Sequence, residues 1–392
     1  MSRRLATRMK RPRIAVVSLF YGESGGAELL ASEVSDRLAE SGEFEIHVLA
    51  HRWKERTGKI VYHPIDFRKW PRMTQKRSLC LSVRKAAAEE RFDLIHSHEL
   101  IDLADVVTFG APVGLWPRIQ GKSGVGLRTI VNRRIERRLL SSRRLRWILA
   151  NSNQSVRWLR EEYPELTRRP VEVQTLYPGV DGGRFAPPGP EAREAARAEL
   201  AARFGWEPSD PVGLFVGNNW EHKGLGSTLE ALRILRQRDC PVRLLVMGSD
   251  RKKERWLPVI RSMGLPVGDI AFLGEVGKGR EAYFRAADFL VLLSRFESFG
   301  TVVLEAVASG LPVIVSARVP AQEILLERAG SVIEDPMDAL GASRAMEEWI
   351  RNCEARERLV AGALRVARTH SWDAVAAATA AVYRNCLARK MG

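Results

Sequence analysis

Two carboxylates eight residues apart, Glu297 and Glu305, stand in a stretch whose surroundings give them a use. An apolar run over 289–293 predicts a buried strand that delivers Glu297 to its carboxyl end. Ser298-Phe299-Gly300 then makes a small turn, and a helix opens near Thr301. The backbone N–H groups of Phe299, Gly300 and Thr301 would emerge at that helix N-terminus, where anionic oxygens bind. Glu305 lies about one turn inside the helix, so both acids can face one ligand. A carboxylate beside a phosphate site and a second beyond it suit a nucleotide sugar, which carries hydroxyls at both ends and phosphate between them. By spacing alone, the pair fits a solvated acid and a helix N-terminal acid complementing the macrodipole equally well.

A second apolar run, Val212 to Val216, is followed by Gly217-Asn218-Asn219-Trp220-Glu221-His222-Lys223-Gly224. A flexible turn with a lysine just before a helix can clamp phosphate, because a point cation meets the charge that develops on a departing pyrophosphate. His222 beside it lacks the bidentate fork of an arginine and is about neutral at pH 7. In the first half, Gly22-Glu23-Ser24-Gly25-Gly26 follows strand one and opens a helix, so Gly25 and Gly26 allow close backbone approach to an anion. His96 and His98 end another strand on one side. No Cys/His/Asp cluster completes a metal site around them, and no Asp-x-Asp string lies in a suitable loop; no metal or other cofactor is expected.

The arrangement strand–Glu–Ser-Phe-Gly–helix–Ser-Gly-x-Pro-Val–strand resembles the retaining glycosyltransferases of family four, which carry a Glu-x7-Glu motif on a GT-B fold. Lipopolysaccharide core glucosyltransferases are the relatives it most resembles. The resemblance implies catalytic roles for Glu297 and Lys223, and donor binding by Glu305 at the ribose, by Phe299, Gly300, Thr301 and His222, and by Gly25 and Gly26. His98, at the strand end, is expected either to line the acceptor side or to be a hydrogen-bonded strand-end histidine. Many relatives present a histidine or an acid to the donor sugar from the loop after the next strand, yet residues 106–135 contain no His, Asp or Glu. Front-face retaining transfer does not need it, since the leaving phosphate oxygen can serve as base.

The elements that must position these residues alternate as strand and helix. Strands are expected at Arg13 to Phe20, Phe44 to Ala50, Phe92 to His96 and Trp147 to Asn151, with helices over 25–41 and 82–90. Further strands follow at 212–216, 243–248, 270–273, 289–293 and 312–315. This predicts an α/β protein of two doubly wound Rossmann-like domains, with ligands at the carboxyl ends of parallel strands. With the resemblance, the expected architecture is GT-B with an interdomain cleft: an acceptor domain over 1–180, a donor domain over 181–370 and a helix over 371–392 crossing back to the first. Dense Gly and Pro over 177–190, including Gly-Val-Asp-x-x-Arg-Phe, mark the junction.

Charge separates the halves. Residues 1–180 carry 33 Lys/Arg against 20 Asp/Glu, and residues 181–392 carry 29 against 27. A partner of the first half is therefore anionic. Much of the excess lies in a stretch read as a loop, with Arg118, Lys122, Arg128, Arg133, Arg134, Arg137, Arg138, Arg143, Arg144 and Arg146, opposed by Glu136 alone and bordered by Trp116 and Trp147. Arg133, Arg134, Arg137 and Arg138 are the expected contacts to an anionic membrane face, an anionic glycolipid or a phosphorylated saccharide. Nucleic acid is the rival partner, but no RNA- or DNA-binding motif accompanies the charge.

The four cysteines are scattered, which fits a reducing compartment, and no apolar stretch approaches the ~20 residues needed to cross a bilayer. The expected protein is a cytoplasmic, peripheral hexosyltransferase on the inner face of the membrane, acting on a lipid-linked or lipopolysaccharide-core saccharide. Alternatives are a catalytically weak scaffold that kept the fold, or a nucleotide-sugar epimerase or hydrolase.

Overall fold

A computed structural model describes residues 11–22, 25–68, 70–119, 126–325 and 329–391. The chain divides into two compact units, one of residues 1–177 with 372–392 and the other of residues 178–371.

The first unit runs β1 (Arg13–Val17), β2 (Phe20–Tyr21), α1 (Gly26–Ser41), β3 (Glu45–Ala50), β4 (Arg52–Trp53), β5 (Val61–Pro64) and α2 (Gln75–Glu90). It continues through β6 (Leu94–Ser97), β7 (Val106–Phe109), α3 (Leu115–Ile119), α4 (Leu127–Leu140), β8 (Trp147–Ala150), α5 (Asn153–Glu162) and β9 (Glu172–Thr175). Seven strands form one parallel sheet in the order β5-β3-β1-β6-β7-β8-β9, while β2 pairs with β4. The inner strands are buried apolar runs because helices cover the sheet, whereas the edge strands β5 and β9 are partly exposed. The terminal helix, Trp372–Met391, packs on α1, and its Tyr383 meets Phe44 edge-on.

In the second unit, α6 (Pro190–Phe204), β10 (Val212–Val216), α7 (Leu225–Arg236), β11 (Arg243–Met247), α8 (Trp256–Ser262) and β12 (Ile270–Gly274) come first. Then follow α9 (Glu281–Ala286), β13 (Phe289–Leu292), α10 (Thr301–Ala308), β14 (Val313–Ser316), β15 (Gly330–Ile333), α11 (Ala339–Arg351) and α12 (Cys353–Thr369). Six parallel strands lie in the order β12-β11-β10-β13-β14-β15. Strand order reverses direction between β10 and β13 here, and between β1 and β6 in the first unit. Such switch points leave a crevice at the carboxyl edge of an open α/β sheet.

Several boundaries move from the sequence expectation. The first strand ends at Val17, α2 begins at Gln75 instead of 82, and the divisions fall after Tyr177 and Ser371. The basic stretch read as a loop contains α4. Its arginines hide a helical apolar face, since Ile135, Leu139 and Leu140 are buried while Arg134, Arg137 and Arg138 are exposed.

Candidate active site

Lys223 follows β10 and Glu297 follows β13, so the two strands that flank the switch point of the second unit each deliver one charged group. The two side chains form an ion pair that is mostly shielded from solvent. Ser294 adds a hydroxyl donor to Glu297 Oε1 at 3.0 Å. Two glycines make the approach possible. Gly224 sits at φ +86°, and a Cβ there would collide with the Leu293 carbonyl. Gly300, at φ +100°, would place a Cβ 2.8 Å from Val319 Cγ1. Both positions therefore need the left-handed conformation and the missing side chain.

His222 bonds to the loop that carries Glu297. Its Nε2 lies 3.0 Å from the Phe296 carbonyl, and its own carbonyl accepts from Arg295 N at 3.0 Å. Burial holds the imidazole pKa below its usual value, against the opposing pull of the Phe296 hydrogen bond. The neutral ring thus staples the turn after β10 to the loop that carries Glu297. Without a guanidinium fork, the residue positions the loop that carries Glu297.

Glu305 is buried in α10 and ion-paired with Arg280. Burial pushes its carboxyl up to about 7, although Arg280 and then Arg184 pull it down. Arg184 in turn pairs with Glu281 at 3.1 Å. Phe299 buries its ring, and its carbonyl accepts from Ala321 N at 2.9 Å. Thr301 begins the helix, and the capping residue Gly300 accepts from Val303 N at 3.0 Å. Sequence reading singled out neither Arg280 nor Ser294. Arg184 had a signal, its place in the junction string; the other two had none.

In the first unit, Gly25 and Gly26 open α1 and are exposed. The Glu28 carboxylate lies where a Cβ on Gly25 would project, so the helix supplies its own anion there. Glu23 and Ser24 lie outside the described residues. His96 is a core residue, bonded through Nδ1 to Tyr383 Oη at 2.7 Å and through Nε2 to Thr108 Oγ1 at 2.9 Å. His98, one ring away at 4.4 Å, has a buried Nδ1 without a partner among the described residues, and burial drops its pKa to about 3. His98 thus places a neutral imidazole just past the carboxyl end of β6. Among the described residues no group of three or more His, Cys, Asp or Glu could hold a metal ion.

Residues 24–184 match the family description "Glycosyltransferase Family 4", and residues 210–352 match "Glycosyl transferases group 1". The chain belongs to glycosyltransferase family four. The first match contains Gly25, Gly26 and His98, and the second contains Lys223, Glu297 and Glu305. Among curated relatives, the D-inositol 3-phosphate glycosyltransferase of Xylanimonas cellulosilytica is 30% identical over 62% of this chain and 59% of its own. The mannosylfructose-phosphate synthase of Agrobacterium fabrum is 31% identical over 47% of this chain and 40% of its own. The chain spans about half the length of the curated relatives it matches. The GT-B fold is shared with WaaG, a glycosyltransferase involved in lipopolysaccharide biosynthesis (TM-score 0.79, 19% identity, 94% of this chain and 99% of that one). It is shared also with Anabaena HepE in complex with UDP and glucose (TM-score 0.71, 17% identity, 95% and 99%).

Within this family member, the arginines in and around α4 divide into two sets. Arg133 is ion-paired with Glu162, which Arg118 also reaches at 3.2 Å, and Arg144 pairs with Asp105 at 2.9 Å. Arg133 therefore belongs to the fold rather than to an open cationic face. Glu136, expected to oppose the arginines, is buried instead against Tyr163 Oη and Val113 N. Burial raises its carboxyl to about 7. Arg134, Arg137 and Arg138 are exposed, with no ion pair among the described residues. Leu127 and Ile130 stand exposed on the same helix. Trp147 does not border this face: it is buried in β8 with its indole N–H on Gln174. Lys122 and the Trp116 side chain lie outside the described residues.

Proposed function

We propose that the protein is a retaining hexosyltransferase that moves a sugar from a nucleotide-diphosphate donor to an anionic saccharide acceptor. The observation that carries this reading is the pair Lys223–Glu297, held by the two strands at the switch point beside the N-terminus of α10. Donor phosphates would draw Lys223 from Glu297 and free the carboxylate for sugar hydroxyls and the developing positive charge at the anomeric carbon. The bond from that carbon to the phosphate oxygen breaks, and the acceptor oxygen bonds on the same face. The acceptor proton passes to the departing phosphate oxygen, and the nucleoside diphosphate leaves. Glu305, Arg280 and Arg184 would receive the ribose end, where Glu305 accepts from hydroxyls.

A lipid-linked or lipopolysaccharide-core saccharide is the acceptor this reading favours. It is supported by the stripe Leu127, Ile130, Arg134, Arg137 and Arg138, which presents apolar and cationic groups at helical spacing. In this reading docking is peripheral, on the inner face of the membrane; no helix of the described residues is long and apolar enough to cross one. WaaG's part in lipopolysaccharide biosynthesis points the same way. A second reading, a small soluble phosphorylated acceptor, is favoured by relatives named for inositol 3-phosphate and mannosylfructose phosphate. No metal is required in this scheme, since Lys223 and the α10 N-terminus meet the phosphate charge.

A donor panel read by thermal shift, followed by mass spectrometry of products from lipid-linked and from soluble phosphorylated acceptors, tests the assignment. Transfer should survive exhaustive EDTA treatment. Sugar release without acceptor would move the reading to a hydrolase, and donor binding without any turnover would move it to a scaffold.

A further inference from the structure

At the amino edge of the six-stranded sheet, opposite the end that holds Lys223 and Glu297, a cavity of ≈ 510 Å³ is lined by Arg193, Arg197, Asp288, Phe289, Trp349 and Arg356. The arginines come from two helices, α6 and α12, and converge on one carboxylate. Arg193 Nη2 lies 2.7 Å from Asp288 Oδ1, Arg356 Nη1 lies 3.4 Å from the same oxygen, and Arg197 takes Oδ2. Asp288 also accepts from Val212 N at 2.8 Å, which ties it to the start of β10. One guanidinium would suffice to neutralise this acid. Three are present, and even with Glu194 also lining the cavity one positive charge is in excess.

The three are not equally occupied. Arg197 is nearly buried and spends its other Nη on the Asp210 carbonyl, as a structural residue does. Arg193 and Arg356 leave over a third of their side chains exposed; Arg193 adds a long bond from Nη1 to the Arg285 carbonyl at 3.4 Å, and Arg356 contributes only its one long contact. A guanidinium has five N–H donors, so both retain donors for a further acceptor. Burial pushes the Arg193 pKa down; Asp288 counters this, while Arg197 and Arg356 add to it. A bound anion would relieve that repulsion. The floor is apolar, with Phe289 and Trp349 meeting edge-on at 6.2 Å, and Pro208 and Pro211 beside them.

We infer that this cavity is a second ligand site, distinct from the donor site, that takes a small phosphate monoester with a planar or apolar body. Its phosphate would sit between Arg193 and Arg356 and fasten α6 to α12, and its body would lie over Phe289 and Trp349. Asp288 immediately precedes β13 and Glu297 lies beyond its other end, so the strand alone separates the sites by roughly 13 Å. The inference does not depend on the donor chemistry proposed above.

Phenyl phosphate and inorganic phosphate serve as probes, titrated calorimetrically into the full chain and into three variants. Phenyl phosphate should bind saturably and more tightly than inorganic phosphate. Its affinity should survive Lys223→Ala, which disables the donor site, and fall about 10- to 100-fold in Arg356→Gln, the scale of one charge-assisted contact. Ser209→Glu brings a carboxylate into the lining and leaves the Asp288 network whole, so it should abolish binding even if Arg356→Gln folds poorly. Absence of saturable binding, equal affinity in Ser209→Glu, or loss in Lys223→Ala alone would overturn the assignment.

Discussion

At the carboxyl edge of its sheet the unit of residues 178–371 keeps charge in two shielded pairs, Lys223 with Glu297 and Arg280 with Glu305. The same edge of the other unit holds His96 and His98, whose pKa values burial lowers, while its unbalanced cations stand outside on α4. On the proposed reading, one parallel scaffold would serve two kinds of recognition. Paired charges at fixed positions are preorganised, and an incoming phosphate would exchange one partner for another without rearranging the site. Exposed arginines act at longer range, fade over a Debye length and tolerate loose geometry. Salt should therefore separate the two units' tasks more sharply than any single substitution.

The contrast can be broken most directly at Glu297. Glu297→Gln should lower kcat by about 10²-fold or more, the scale of one preorganised electrostatic group, with little change in vesicle binding. Steady-state kinetics on a protein shown to be folded by circular dichroism decides this, and near-native turnover would remove Glu297 from the chemistry. For the first unit, converting Arg134, Arg137 and Arg138 to Ser together should weaken co-sedimentation with anionic vesicles by about 10²-fold at low salt, at roughly 1 kcal/mol each. Donor affinity should hold. Arg133→Ser should instead lower stability, because it leaves Glu162 with only the longer Arg118 contact. Equal sedimentation of parent and triple variant would reject docking through α4.

Glu305→Gln should raise the donor KM roughly 10-fold, with a smaller effect on kcat, as expected for a binding contact. Because burial holds this carboxyl at about 7, donor affinity of the parent should fall between pH 8 and pH 6, and the variant's should stay flat. A parallel decline in both would place the titration elsewhere. His98 gives the smallest effect. Its folded pKa is depressed to about 3 from the ordinary 6.5, so the unfolded chain takes up a proton first and stability falls as pH drops below about 6.5. By pH 5 this amounts to at most about 2 kcal/mol, and His98→Gln should flatten part of that slope in urea denaturation, with His96 supplying the rest.

Alternating apolar runs and glycine turns already determined much of the architecture in sequence. β10 has the expected bounds, β11 to β14 differ by about a residue at either end, and Glu297 and Lys223 could be singled out from the turns that follow strands. These are local properties, because a buried strand must be apolar along its own length. The short, half-exposed strands β5, β9 and β15 carried no such pattern, and α4 was masked by its arginines. Partnership was beyond the sequence altogether. Arg280 meets Glu305 across 25 residues, Lys223 meets Glu297 across 74, and Tyr383 meets His96 across 287. Which of many arginines neutralises a given acid depends on where the chain returns. Only the folded sheet therefore decided that Arg133 is a structural ion pair, that His222 holds a loop, and that Arg134, Arg137 and Arg138 are left facing outward.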